Sequence, residues 1–258
     1  MAPTLRIAAR GITDVGQRRD HNEDSLLVDE ALGLYIVADG MGGHAGGGTA
    51  SRLAVETIRK AIGQARENEP ERSVEGSGDD TRVPDLLQQA VEEACAVIHR
   101  TAQGDPELAG MGTTVTAALL DGRTAFVAHV GDSRCYLLRE GRIYQVSEDH
   151  SLVNEQLKAG AISAEEAKHS RFRNIITRSV GFEPQVEVDL MGIELEAGDA
   201  VVICCDGLSN LVDDSEILHI VEESALDVAP GRLVALANDR GGDDNITVVV
   251  VRVGDPPT

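Results

Sequence analysis

Tryptophan is absent from this 258-residue chain, and aromatics are scarce: three tyrosines and three phenylalanines. So few aromatic faces leave little on which nucleic acid bases could stack. An excess of positive charge is missing too, since 23 Lys and Arg face 44 Asp and Glu, a formal net charge of −21. Nucleic acid and anionic membranes are repelled by such a chain, and neither is expected as a partner. No apolar run approaches the roughly 18 residues of a membrane helix. The N-terminus has Arg6, Arg10 and Gly11 but no apolar segment of the length a signal peptide needs. The four cysteines, Cys95, Cys135, Cys204 and Cys205, lack the C-x-x-C spacing of a zinc or redox site. Cys204 and Cys205 continue an apolar strand and read as core, and a reducing cytoplasm is the expected compartment.

What is present begins with an ordinary 42% hydrophobic content, enough for a folded core. Two apolar strands run straight into Asp-Gly and then a helix: Leu34–Ala38 before Asp39-Gly40, and Ala200–Cys205 before Asp206-Gly207. A carboxylate at the end of a buried strand is costly unless a cation or hydrogen bonds compensate it. Two of them suggest that both strand ends meet at one metal. The plainer reading of Asp-Gly is a hairpin turn. Asp121-Gly122, between Thr114–Leu120 and Thr124–Val130, is such a hairpin, and Glu140-Gly141 reads the same way. After Gly40 and Gly207 no returning strand follows; Thr49–Ile62 and Ser215–Ser224 instead carry helical spacing.

Along the chain, strands at Leu5–Ala9, Ser25–Asp29 and Leu34–Ala38 precede a long helix beginning near Ala45. Residues 64–82 are polar and read as an exposed, mobile connection. Pro84–Thr101 is an amphipathic helix with Leu87, Ala90, Val91, Ala94, Val97 and Ile98 on one face. Strands dominate from Thr113 to Val146, residues 151–174 are polar and helix-prone, and the last 60 residues return to strand, helix, helix and strand. One domain over residues 1–258 is expected.

Further acids stand at strand ends: Glu23 and Asp24, Asp132 in Gly131-Asp132-Ser133-Arg134, and Asp243 and Asp244 before Asn245. Singly, each is an ordinary turn former. Together they form an oxygen-only set, which suits Mg²⁺ or Mn²⁺ rather than zinc. Part of the acidity is then a site that metal neutralises, although solubility explains acidity equally well. The spacing of an EF-hand loop is absent.

Arg19-Asp20-His21-Asn22-Glu23-Asp24, Asp39-Gly40-Met41-Gly42-Gly43-His44, Gly112-Thr113-Thr114, Gly131-Asp132-Ser133-Arg134, Cys205-Asp206-Gly207 and Gly242-Asp243-Asp244-Asn245-Ile246-Thr247 stand in order. In this the chain resembles the metal-dependent serine/threonine protein phosphatases of the PP2C (PPM) type, bacterial form, from about Arg6 to Val253. The resemblance implies an α+β fold, a four-layer αββα sandwich of two antiparallel sheets flanked by helices, with a small flap subdomain at residues 151–174. It implies two core Mn²⁺ or Mg²⁺ ions, with Asp39 bridging them, the Gly40 carbonyl on the second, and Asp206 and Asp244 on the first. Glu23 and Asp24 would hold metal-bound waters, Asp132 would help bind a third ion with Asp206, and Arg19 would grip the substrate phosphate.

A planar guanidinium fork suits phosphate oxygens. Two ions can activate a water for in-line attack without a covalent intermediate. The rival cysteine-nucleophile route needs an arginine six residues on, which none of the four cysteines has. Met41 stands where many eukaryotic members carry a histidine, so His44 is the nearest candidate to assist the leaving group. His169, Arg171 and Arg173 of the flap are candidate substrate contacts. Phosphorylated proteins are the implied partners, with a cognate serine/threonine kinase and its substrates, and a monomer is expected. Two alternatives compete: a non-catalytic phosphoprotein-binding scaffold of the same fold, and a dinucleotide site read from Gly40-x-Gly42-x-x-Ala45. The intact aspartates oppose the first, and Asp39 facing a pyrophosphate opposes the second.

Overall fold

Short, largely apolar runs assemble into two five-stranded antiparallel sheets in the computed structural model, which describes residues 5–42, 46–68, 82–168, 170–172 and 174–255. In chain order the first half supplies β1 (Arg6–Asp14), β2 (Ser25–Asp29), β3 (Leu34–Ala38), β4 (Gly40–Met41), α1 (Gly46–Glu67), α2 (Arg82–Gly104) and β5 (Gly112–Thr113). Next come β6 (Val115–Asp121), β7 (Thr124–Val130), β8 (Arg134–Arg139), β9 (Arg142–Gln145), α3 (Leu152–Lys158) and α4 (Ala164–Lys168). The last part adds β10 (Asp189–Glu194), β11 (Ala200–Cys204), α5 (Asp206–Ser209), α6 (Asp214–Glu223), α7 (Ala229–Asp239) and β12 (Ile246–Gly254). One sheet has the order β1-β12-β11-β8-β9, the other β10-β7-β6-β3-β2, and β4 pairs with β5.

Alternation along the central strands sorts side chains into three apolar layers. Tyr35 and Val37 of β3, Val201 and Ile203 of β11, and Val249 and Val251 of β12 fill the space between the sheets. Their neighbours Leu34, Ile36 and Ala38 face α1 and α2, where Ile58, Ile62, Leu87 and Ile98 are fully buried. Ala200, Val202, Cys204, Val248 and Val250 face α6 and α7, which contribute Ile217, Leu233 and Val234. The result is the αββα sandwich. Each buried Leu, Ile or Val contributes about 1.5–3 kcal/mol, so these layers can hold groups elsewhere that cost stability. The same period also carries Asp39 and Cys205, the next odd-numbered positions, toward the inter-sheet side.

Both expected hairpins form: Asp121 pairs with Thr124 across Gly122, and Arg139 with Arg142 across Glu140-Gly141. Gly122, Glu140 and Gly141 take the positive φ such turns need, at 61°, 51° and 70°. Several boundaries differ from the sequence reading. β1 continues to Asp14 because it pairs with β12 over nine residues, which local polarity at Arg10–Asp14 concealed. α1 runs on through Gln64–Glu67 and α2 starts at Arg82, so both ends of the polar 64–82 segment are helical. Arg66 holds α1 to the β6–β7 hairpin by donating to the Leu120 carbonyl at 3.1 Å. The middle of that segment, residues 69–81, lies outside the described residues. On α2, Cys95 joins the buried face and Val97 is only half-buried. β10 was not foreseen; its Gly192 and half-buried pattern hide the strand. None of the described helices is long and apolar enough to cross a membrane.

His129, fully buried in β7, generates a prediction. Its Nε2–H donates to the Glu148 carbonyl at 3.0 Å, and its Nδ1 lies 2.9 Å from the Thr116 hydroxyl. Burial, aided by neighbouring His150, lowers its pKa from 6.5 to about 4. The unfolded chain therefore takes up a proton first on acidification. The stabilisation is present above about pH 6.5 and is lost as the pH falls through about 4. Over that window the unfolding free-energy difference between wild type and His129→Gln should narrow by up to roughly 3 kcal/mol. Urea unfolding at pH 7 and pH 4 tests this, and a constant difference contradicts it.

Candidate metal centre

Asp39 follows β3 directly and is gripped through its backbone. Its N–H donates to Thr114 Oγ1 at 2.9 Å, and its carbonyl accepts from Thr114 N–H and Thr113 Oγ1, both at 2.8 Å. Thr114 Oγ1 also meets Ser133 Oγ at 2.8 Å, which ties this grip to the loop carrying Asp132. Gly112-Thr113-Thr114 thus holds the first Asp-Gly in place. Gly40 does not need left-handed backbone, unlike Gly122; it needs the space. A Cβ there would press into the carbonyl oxygens of Gly47 and Glu23.

Asp206 reaches the same place from the other sheet. It follows Cys205 at the end of β11 and opens α5, where Asn210 donates to its Oδ2 at 3.0 Å. A Cβ on Gly207 would collide with the Asn245 carbonyl oxygen. Asn245 in turn clamps the acidic stretch before β2: its Oδ1 accepts from Glu23 N–H at 2.8 Å, and its Nδ2 donates to the carbonyls of Val15 and His21 at 2.9 and 3.0 Å. Thr247 donates to Asp24 Oδ2 at 2.6 Å. Both Asp-Gly units are therefore packed against backbone from another motif.

The Asp132 loop has its own support. Gly131, at φ 113°, donates its N–H to His150 Nδ1 at 3.0 Å, and its carbonyl accepts from His150 N–H at 2.7 Å. The other ring nitrogen of His150 lies 3.1 Å from Asp189, which Arg178 fixes at 2.6 Å. The carboxylate sets the tautomer, leaving Nδ1 free to accept. Arg134, from the same motif as Asp132, makes a forked pair with Asp149 at 2.7–3.1 Å.

These supports converge on a cavity of about 250 Å³ lined by Arg19, Glu23, Asp39, Gly40, Met41, Gly42, Asp132, Asp206, Asp244 and Asn245, with Asn174 and Ile176 forming another wall. Asp24 lies behind it: one of its oxygens, one of Asp39 and Cys205 Sγ are mutually within 4.8 Å. Burial holds Asp39 well above the usual carboxylate range, reinforced by Asp24, Asp206, Asp132 and Asp244. Burial also raises Asp24 to about 7 against the Thr247 hydrogen bond. Asp132 rises to about 8 through burial and then Asp206. Asp206 is raised by burial and by Asp244, with a hydrogen bond to Asp39 in partial opposition.

Among the described residues four buried side-chain oxygens lack any hydrogen-bond partner, and three are Glu23 Oε1, Asp24 Oδ1 and Asp132 Oδ1. Buried polar atoms without partners are rare in folded proteins. Oxygen-only donors, crowded and unpartnered, fit hard divalent cations. Arg19 stands half-exposed at the mouth, its Nη2 2.6 Å from Asp244 Oδ2.

Of the residues expected from sequence, Arg19, Glu23, Asp39, Gly40, Asp132, Asp206 and Asp244 share this cavity and Asp24 backs it. His44, His169 and Arg173 lie outside the described residues. Arg171 lies over the Phe172 ring, 4.6 Å from its centroid, and does not line the cavity. The sequence reading gave no role to Asn245, Thr114 or His150. The first two stand inside the quoted motifs, but what they bond is set only by tertiary contacts. Cys205 was read as core; it is fully buried between the sheets, yet it also borders Asp24 and Asp39.

The family model described as protein phosphatase 2C matches residues 16–233. A serine/threonine phosphatase, Stp, of Listeria innocua is 37% identical over 243 residues, 93% of each chain. The crystal structure of the Mycobacterium tuberculosis serine/threonine phosphatase PstP/Ppp superimposes with a TM-score of 0.84 at 36% identity, covering 98% of this chain and 100% of that one. The catalytic domain of PstP in complex with two manganese ions gives a TM-score of 0.82 at 37% identity, covering 98% and 99%.

The two kinds of Asp-Gly should respond differently to a methyl group. Gly40→Ala should cost about 1–3 kcal/mol by overpacking and abolish any rise in melting temperature on adding Mn²⁺. Gly122→Ala meets open space and should cost about 1–2 kcal/mol through its positive φ alone, with the Mn²⁺ response intact. Thermal unfolding of both variants, with and without Mn²⁺, distinguishes them; equal responses would refute the assignment of Gly40 to the site.

Proposed function

The chain belongs to the protein phosphatase 2C family, and from that membership and its carboxylate cluster we propose that it hydrolyses phosphoserine and phosphothreonine esters in proteins, using water activated between two manganese or magnesium ions. It is a protein serine/threonine phosphatase. The observation that carries the mechanistic part is the set of unpartnered buried oxygens, those of Glu23 and Asp132 on residues lining one cavity and that of Asp24 behind it.

Asp39, the Gly40 carbonyl, Asp206 and Asp244 would hold the two core ions, and Asp132 with Asp206 a third. When bound, such ions lower the pKa of a water and clamp the phosphoryl oxygens for in-line displacement. Glu23 and Asp24 orient water through oxygens that no protein donor occupies. Arg19, at the mouth, binds the phosphate oxygens of the incoming ester by its planar donors. Met41 offers no proton after the first Asp-Gly, and His44, the nearest histidine in sequence, would assist the leaving alkoxide. Phosphorylated proteins are the substrate class, and the targets of a cognate serine/threonine kinase are the natural set. The chain would act as a single domain with a flap at 151–174, a reading supported by Asn174 lining the cavity.

Hydrolysis of p-nitrophenyl phosphate with Mn²⁺, with EDTA and with Asp39→Asn tests the proposal. Turnover should require Mn²⁺, vanish in EDTA, and fall at least about a hundredfold in the variant, beyond the 10–100-fold typical of outer-sphere changes. Absence of manganese-dependent turnover would sink it. Arg19→Ala should lower kcat/KM about 10- to 100-fold, the equivalent of a lost charge-assisted hydrogen bond, while leaving Mn²⁺ affinity within a few-fold. A variant that loses Mn²⁺ affinity instead would remove Arg19 from the phosphate-binding role.

A further inference from the structure

Behind the oxygen-rich cavity stands a group of different chemistry. Cys205 continues the inter-sheet face of β11 and is fully buried. Its Sγ, an oxygen of Asp24 and an oxygen of Asp39 all lie within 4.8 Å of one another. Asp24 is nine-tenths buried; its Oδ2 accepts from Thr247, whereas its Oδ1 has no partner. Cys205 Sγ is held on both sides, accepting from Thr247 N–H at 3.0 Å and donating to the Asn245 carbonyl at 3.3 Å. The sulfur is thus fixed beside an orphaned carboxylate oxygen and the central acid of the cavity.

We propose that Asp24, Asp39 and Cys205 form a thiophilic cation position beneath the oxygen-only centre, and that Zn²⁺ or Cd²⁺ entering it inhibits the enzyme. A set containing one thiolate favours zinc over manganese, both by softness and by the general affinity order of divalent metals. Zinc bonds of about 2.3 Å to sulfur and 2.0–2.2 Å to oxygen bring three such donors onto one ion with small side-chain rotations. Binding forms one Zn–S bond and releases the thiol proton to solvent; the Asn245 carbonyl gives up that donor, and no electrons are transferred. The Asp24 oxygen gains its missing partner. Asp39 is drawn to the softer ion and away from the cavity. This last, inhibitory part rests on the proposed role of Asp39 in holding manganese, whereas the binding part does not.

X-ray absorption at the zinc edge, on metal-free wild-type protein given one equivalent of Zn²⁺, should find one sulfur at about 2.3 Å among oxygen neighbours. This measurement needs no variant. Titration with Co²⁺ should give a thiolate-to-metal charge-transfer band that disappears in Cys205→Ser and persists in Cys135→Ser. Zn²⁺ should inhibit manganese-dependent turnover, with at least a tenfold higher inhibitory concentration in Cys205→Ser. A shell of oxygen and nitrogen alone, or a band that survives Cys205→Ser, overturns the site. Sulfur ligation without inhibition overturns the regulatory half. Sulfur ligation in a protein lacking any Mn²⁺-dependent turnover supports the site while removing the hydrolytic proposal.

Discussion

Mutual repulsion among buried carboxylates is the constraint on which the rest of this structure depends. Asp39 has Asp24, Asp132, Asp206 and Asp244 close enough to raise its proton affinity beyond what burial alone does. Buried charges normally cost several kcal/mol each unless paired. Among the described residues the nearby cations stay at the edge of this group: Arg19 reaches Asp244 at the rim, and Arg134 pairs with Asp149. The apolar layers hold the acids together. Three of them, each anchored by fully buried aliphatic side chains, fix the ends of β3 and β11 from opposite sheets at one place.

Within that frame many of the local devices act on backbone, while Thr247, Asn210 and Arg19 each donate to one oxygen of Asp24, Asp206 and Asp244. Thr113 and Thr114 grip Asp39 by its amide and carbonyl, Asn245 pins the Glu23 segment by three hydrogen bonds, and His150 holds both polar groups of Gly131. One carboxylate oxygen each of Glu23, Asp24 and Asp132 is left without a donor. Satisfying them with hydroxyls or amides would have been the stable solution for an inert protein. Bare, crowded oxygens of this kind suit a hard divalent cation, which is the ground of the proposed metal centre.

Much of this was legible in the sequence where the signal is local. Strand-length apolar runs exposed β3, β6, β7 and β11, and the missing return strand after Gly40 and Gly207 separated those positions from the hairpin at Gly122. Ordered motifs carried the site residues. The reason for Gly40 and Gly207 was not legible, because it is close approach to Gly47 and Asn245 rather than backbone sign. Nor were the length of β1 and the existence of β10, which long-range pairing decides. His150 and Asp189 lie 39 residues apart and give no pattern until the fold joins them. Cys205 looked like any strand cysteine, since only the inter-sheet register brings it to Asp24.

The central claim is that the fold holds these carboxylates against their own repulsion and that a cation relieves it. Thermal unfolding of wild type and Asp39→Asn at pH 8, in EDTA and then in excess Mn²⁺, tests it most directly. In EDTA the variant should melt above the wild type, because a buried carboxyl group whose burial and neighbours disfavour its ionisation is gone. With Mn²⁺ the order should reverse, as only the wild type gains the ion. A variant that melts below the wild type in EDTA, with no reversal in Mn²⁺, would contradict the account.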